Sequence, residues 1–142
     1  MSKINLTRNE LVNVNNGVHR LLASDEKFNI KFTYALGKNK RIINVEIESL
    51  QEALNACTEK YRDAATAFND ALGEKILPEE KAKLIQENDI KLREEFKDKI
   101  KAAEDFMNDK VDIEVHSIDL LEVPAIPADL GEAIFPLISE KE

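Results

Sequence analysis

Residues 40–72 read KRIINVEIESLQEALNACTEKYRDAATAFNDAL, and this stretch decides the fold. Ile43, Ile47, Leu50, Leu54, Cys57, Tyr61, Ala64, Phe68 and Ala71 recur at alternating spacings of four and three. That is an a/d seam, held for about four heptads. The positions between are mostly polar, among them Glu46, Glu48, Gln51, Glu52, Glu59, Lys60, Arg62 and Asp63. The spacing predicts a helix over 40–72, ended by Gly73 as a left-handed cap.

Towards the C-terminus, Leu77-Pro78-Glu79-Glu80 restarts a helix. Proline suits the first helical position, and acids suit the positive end of the dipole. Leu84, Ile85, Leu92, Phe96, Ile100, Ala103, Phe106 and Met107 carry an apolar stripe to Asp109. Asn88 and Asp89 interrupt it, as polar seam residues that set register do. The connection Gly73–Leu77 is short. Two helices of about 30 residues so joined fold back as an antiparallel hairpin about 45 Å long, spanning 40–109.

Towards the N-terminus, Thr7 and Glu10 stand at capping-box spacing, with Leu6 and Leu11 placed as a hydrophobic staple. Leu11, Val14, Val18, Leu21 and Leu22 follow at helical spacing, so 7–23 is expected to be an amphipathic helix. Phe28-Asn29-Ile30-Lys31-Phe32-Thr33-Tyr34 alternates apolar and polar, which predicts a strand over 28–34. Gly37-Lys38-Asn39-Lys40 then reads as a junction into the long helix. Val111-Asp112-Ile113-Glu114-Val115-His116 alternates again and predicts a strand over 111–117. A helical hairpin returns its ends to one place, so 28–34 is expected to pair with 111–117 at its base. The tail 118–142 is apolar but broken by Pro124, Pro127 and Pro136, which leaves a short helix around 128–135. The expected fold is mainly α with a small β element. It is one domain, 1–142, with an N-terminal helix, a long coiled-coil-like antiparallel hairpin and a two-stranded β patch.

Composition narrows the function. At 142 residues the chain has material for one core. With 20 Lys+Arg against 28 Asp+Glu the net charge is −8, which argues against direct duplex-DNA binding. The charge is unevenly laid out: net +5 over 1–44, −6 over 45–110 and −7 over 111–142. Apolar runs are only a few residues long, far short of the ~20 that span a bilayer. The opening Met1-Ser2-Lys3-Ile4-Asn5 leads into no apolar signal region. The lone Cys57 forms no internal disulfide, in keeping with a reducing compartment. These features lead to the expectation of a cytoplasmic protein.

Candidate chemistry is sparse. His19 and His116 have no partner at metal-ligand spacing. Cys57 sits on the seam, where a buried small hydrophobe is expected. Glu48 with Glu52 and Glu94 with Asp98 lie on charged, solvated helix faces. No Gly-rich phosphate loop and no twelve-residue calcium loop occur. Lys38, Lys40 and Arg41, beside Phe32 and Tyr34, form a small basic cluster suited to RNA or phosphate, though a solvated junction is the stronger expectation. No catalytic residue, metal ligand or cofactor is assigned. Ile42, Val45, Ala53, Ala56, Ala65 and Leu72 lie off the seam and widen the apolar stripe beyond what one helix covers. Ile42, Val45 and Leu72 are therefore the candidate partner-binding residues, and a homo-oligomer is expected.

The order of features carries a resemblance. Leu6-Thr7-Arg8-Asn9-Glu10-Leu11-Val12 opens the chain, followed by Ile30-Lys31-Phe32-Thr33-Tyr34-Ala35-Leu36. The charged helical hairpin comes next, then Val111-Asp112-Ile113-Glu114-Val115-His116-Ser117-Ile118, and a Leu/Pro-rich tail. This resembles a family of small uncharacterised proteins of tailed phages and prophages of Gram-positive bacteria. The resemblance implies a phage origin, a host-cell cytoplasmic setting and a binding or assembly role; it carries no catalytic residues. The expected function is a non-enzymatic interaction or assembly protein whose partner is a virion or host component. The alternative is an acidic phage inhibitor of a host defence or nucleic-acid-processing enzyme. An inhibitor of that kind clusters its acids on one face, whereas an assembly protein exposes an apolar patch.

Overall fold

The computed structural model describes residues 2–73 and 77–139. Among the described residues the chain is mainly helical, with two small sheets of two strands each. It forms two compact units, one from the residues up to Leu50 and from Met107 onward, the other from Gln51–Phe106.

In the first unit, strand β1 (Ser2–Thr7) runs straight into helix α1 (Arg8–Leu22). The capping box forms as expected: the Glu10 N–H donates to Thr7 Oγ1, and the Thr7 N–H donates to the Glu10 carboxylate, both at 3.1 Å. These bonds, the Thr7 backbone N–H foremost, hold the Glu10 carboxyl below its ordinary range. β1 pairs antiparallel with β2 (Lys110–Val115), setting Ile4 opposite Ile113 and Leu6 opposite Val111. The tail returns through β3 (Ile118–Asp119), helix α5 (Ala128–Ile134) and β4 (Ile138–Ser139), with β3 and β4 parallel. Helix α5 matches the short helix expected near 128–135. It packs on α1 so closely that a Cβ on Gly17 would stand 2.6 Å from the Ala133 Cβ.

The strand expected over 28–34 does not form, and its pairing with 111–117 is replaced by that of β1. Helix α2 runs from Ile30 to Leu72, starting ten residues before the expected hairpin helix. Asn29 caps it, its Oδ1 accepting the Phe32 N–H at 2.9 Å. The junction foreseen at Gly37–Lys40 is likewise helix interior. Packing decided the matter. A strand would bury Ile30, Phe32 and Tyr34 together, but Phe32 is buried while Ile30 is 83% and Tyr34 60% exposed. The buried set at the start of α2 is Phe32, Ala35, Leu36, Asn39 and Ile43, which is helical spacing. Its apolar members share one core with Leu11, Val14, Val18 and Leu21 of α1, Val115, Ile118, and Leu130, Ile134 and Leu137.

In the second unit, the part of α2 over 51–72 lies against α3 (Pro78–Glu95) and α4 (Lys97–Asn108), the helical hairpin expected. Tyr61 stacks edge-on to Phe96 at 6.0 Å, and Cys57 Sγ donates to the Lys99 carbonyl at 3.4 Å. Gly73 adopts φ +63°, the left-handed cap read from sequence, and Pro78 begins α3. The connection between them, over 74–76, lies outside the described residues. The returning arm is not one helix: the α-helical run breaks at Phe96, where the backbone opens to φ −100° and ψ 17°. The seam is less buried than expected. Cys57 is half-buried rather than enclosed, and Leu92 is the one buried apolar side chain among the described residues of this unit.

Candidate functional site

Asn39 organises the site. It is fully buried, and its amide exchanges two bonds with the backbone of His116: Nδ2 donates to the carbonyl and Oδ1 accepts the N–H, both at 2.8 Å. The amide thus acts as a surrogate peptide group just past the end of β2, where the sheet bonding stops. His116 is thereby held beside α2, and its ring lies edge-on to Tyr34 at 5.8 Å. A second tie joins the two segments: Asn29 Nδ2 donates to the Glu122 carbonyl at 2.9 Å, and Lys31 pairs with the Glu122 carboxylate at 3.5 Å.

These ties shape a ridge with a hollow on each side. Ile30 and Tyr34 form the ridge and line both hollows. On one side a hollow of about 400 Å³ is lined by Lys31, Ala35 and the run 116–119 with Glu122. On the other, a hollow of about 360 Å³ is lined by Thr33, Gly37, Lys38 and Arg41. Lys38 Nζ lies 5.8 Å from the centre of the Tyr34 ring, a cation–π distance. Leu120 and Leu121, in the turn that carries Glu122, are 46% and 89% exposed. The surface is apolar at the ridge and basic on its Gly37 side.

The expected candidates are not gathered into one place. Val45 is 68% exposed, Ile42 is half-buried, and Leu72 is half-buried in the second unit. The period-two pattern of 28–34 places Ile30 and Tyr34 in the core, and Asn39 reads in the sequence as part of a solvated junction. The signal that could have found them was the helical spacing of Phe32, Ala35, Leu36 and Ile43 with Asn39 on the same face. His19 contacts Asn44 at 3.4 Å, and Glu48, Glu52, Glu94 and Asp98 lie exposed on helix faces.

One polar network stands in the second unit. The Tyr61 hydroxyl donates to Asp89, whose other oxygen accepts Arg93 Nε at 2.8 Å. The Tyr61 hydrogen bond, then that of Arg93, holds the Asp89 carboxyl below its ordinary range, and the same carboxylate raises the Tyr61 hydroxyl. Asp89 is the polar seam residue noted in the sequence, and it latches the two arms of the hairpin. Among the described residues no group of three or more His, Cys, Asp or Glu side chains could hold a metal, and no helix is long and apolar enough to cross a membrane. No family model, no curated protein and no solved structure matches the chain.

Proposed function

We propose that the chain is a non-enzymatic interaction protein that works through protein–protein contacts in a host cytoplasm, as an assembly component of the phage kind its feature order resembles. The observation that carries this is the Ile30–Tyr34 ridge. Two large apolar side chains stand more than half exposed at the start of a helix whose opposite face is core, between two hollows. Exposed apolar surface grouped in this way is a mark of an interaction site. The hairpin supports self-association as well, with Ile90 62% exposed and Ala53 and Ala56 on its surface.

The test is affinity capture from infected or lysogenic cells, using the wild-type chain beside an Ile30→Glu, Tyr34→Ala variant. A virion protein retained by the wild type and lost by the variant is the expected result. A prey list unchanged by the variant would remove the ridge as the contact. A host nuclease as the ridge-dependent prey would support the inhibitor alternative instead.

A further inference from the structure

Gly37 sits inside α2, where a glycine weakens the helix relative to alanine. Its backbone has no need of glycine, since Gly73 alone takes a positive φ among the described residues. Packing does not require it either: a Cβ built on Gly37 meets nothing within 4 Å, whereas one on Gly17 would strike Ala133. Gly37 lies on the lining of the basic hollow, next to the exposed ridge. A bare patch of helix backbone there lets another backbone come close, which a side chain would prevent.

The charges around it have one sign. Lys38 and Arg41 line the same hollow, three residues apart on one helix face, and neither makes an ion pair among the described residues. Tyr34 holds the Lys38 ammonium by its ring. On the far side of the ridge the acids are already engaged, Glu122 by Lys31 and Asp119 by the Leu121 N–H. The surface therefore offers an apolar ridge, a side-chain-free notch and two cations on the notch side.

We infer that the Ile30–Arg41 face of α2 docks an acidic amphipathic helix of another protein, which crosses α2 at Gly37. Its apolar side chains straddle the Ile30–Tyr34 ridge and fill the hollows on either side, as ridges pack into grooves. Its carboxylates meet Lys38 and Arg41. The inference rests on the protein-contact function proposed above and adds the chemistry of the partner. A nucleic acid fits less well, because an apolar ridge has no use for phosphates and two cations, Lys38 and Arg41, are too few to follow the regular charges of a polyanion.

The experiment titrates the full chain into fluorescein-labelled four-turn amphipathic peptides, one with Leu on one face flanked by Glu, the other with Lys in place of Glu. Single-stranded RNA of similar length is a third probe. The acidic peptide is expected to bind, at least tenfold tighter than the basic one, and to weaken with added salt. Gly37→Leu and the double variant Lys38→Glu, Arg41→Glu are each expected to weaken it at least tenfold with unchanged circular dichroism. Equal binding of both peptides, preference for RNA, or indifference to these variants overturns the proposal. So does a sedimentation result in which the charge-reversed variant turns a dimer into a monomer, since the occupant is then a second copy. In the capture assay, prey lost with Ile30→Glu, Tyr34→Ala but kept with the charge reversal overturns the acidic partner while the protein-contact function stands. Prey kept with both overturns the acidic partner and the ridge as the contact.

Discussion

The side-chain amide of Asn39 exchanges two hydrogen bonds with the backbone of His116, 77 residues away in the chain. A buried amide matched in this way fixes the position of the chain just after β2, and with it one wall of the larger hollow.

Replacing Asn39 by alanine removes both of these buried hydrogen bonds and opens a small void. At about 1–2 kcal/mol for each bond, a loss of about 2–4 kcal/mol in unfolding free energy is expected. Urea denaturation checks it. A loss below about 1 kcal/mol would mean that water replaces the amide without penalty.

Two glycines in helices should respond in opposite directions to alanine. Gly17→Ala gains helix propensity but drives a methyl into Ala133, 2.6 Å away, so net destabilisation of about 1–2 kcal/mol is expected. Gly37→Ala meets no neighbour and should stabilise the free chain by about 0.5–1 kcal/mol. Thermal unfolding of both variants measures this. A destabilised Gly37→Ala chain would show that the notch is required by the fold itself.

The Tyr61 hydroxyl should ionise above its ordinary value of 10.0, since Asp89 accepts its proton-bearing hydrogen bond. The bond belongs to the protonated phenol. Its contribution is therefore full below pH 10.0 and is lost as pH rises through the raised value. Asp89 works in the opposite sense: its contribution is present above 3.8 and is lost as pH falls through its lowered value. Phenolate absorbance in a Tyr34→Phe background isolates Tyr61, and Asp89→Asn should bring its titration down. A midpoint unmoved by Asp89→Asn would mean the latch is not formed in solution.

Self-association is expected at micromolar concentration, through the apolar positions that the hairpin and its approach leave open. Sedimentation equilibrium should give a dimer or higher species, and Val45→Glu with Ile90→Glu should shift it towards monomer. A strict monomer across the concentration range would remove the homo-oligomer and leave the Ile30–Tyr34 ridge untouched.

Much of the fold is legible in the sequence where the signal is local. Thr7 and Glu10 form the capping box at the position their spacing implies, and Gly73 takes the positive φ expected of a helix-ending glycine. The seam from Ile43 onward is helix, and the alternation after Val111 is strand. What misled was Phe28–Tyr34, because alternating apolar residues over so short a span satisfy a strand and the first turns of a helix almost equally. Asn29 was the neglected discriminator: it caps α2 three residues before Phe32. The sequence also carries a second candidate partner for β2, without choosing between the two. Ile4 and Leu6 alternate with Lys3 and Asn5, and their half-buried and exposed faces follow that pattern.

By itself the sequence determined the helical character, the capped ends, the hairpin and the short helix between prolines, because each follows from the bonding and spacing of neighbours. Tertiary structure alone decided which strand pairs with β2 and which face of α2 is left open. Those outcomes depend on competition between distant segments for one core. Phe32, Ala35, Leu36 and Asn39 bury against α1 and the segment after β2, and a helix that buries that side must present Ile30, Tyr34 and Arg41 to the outside.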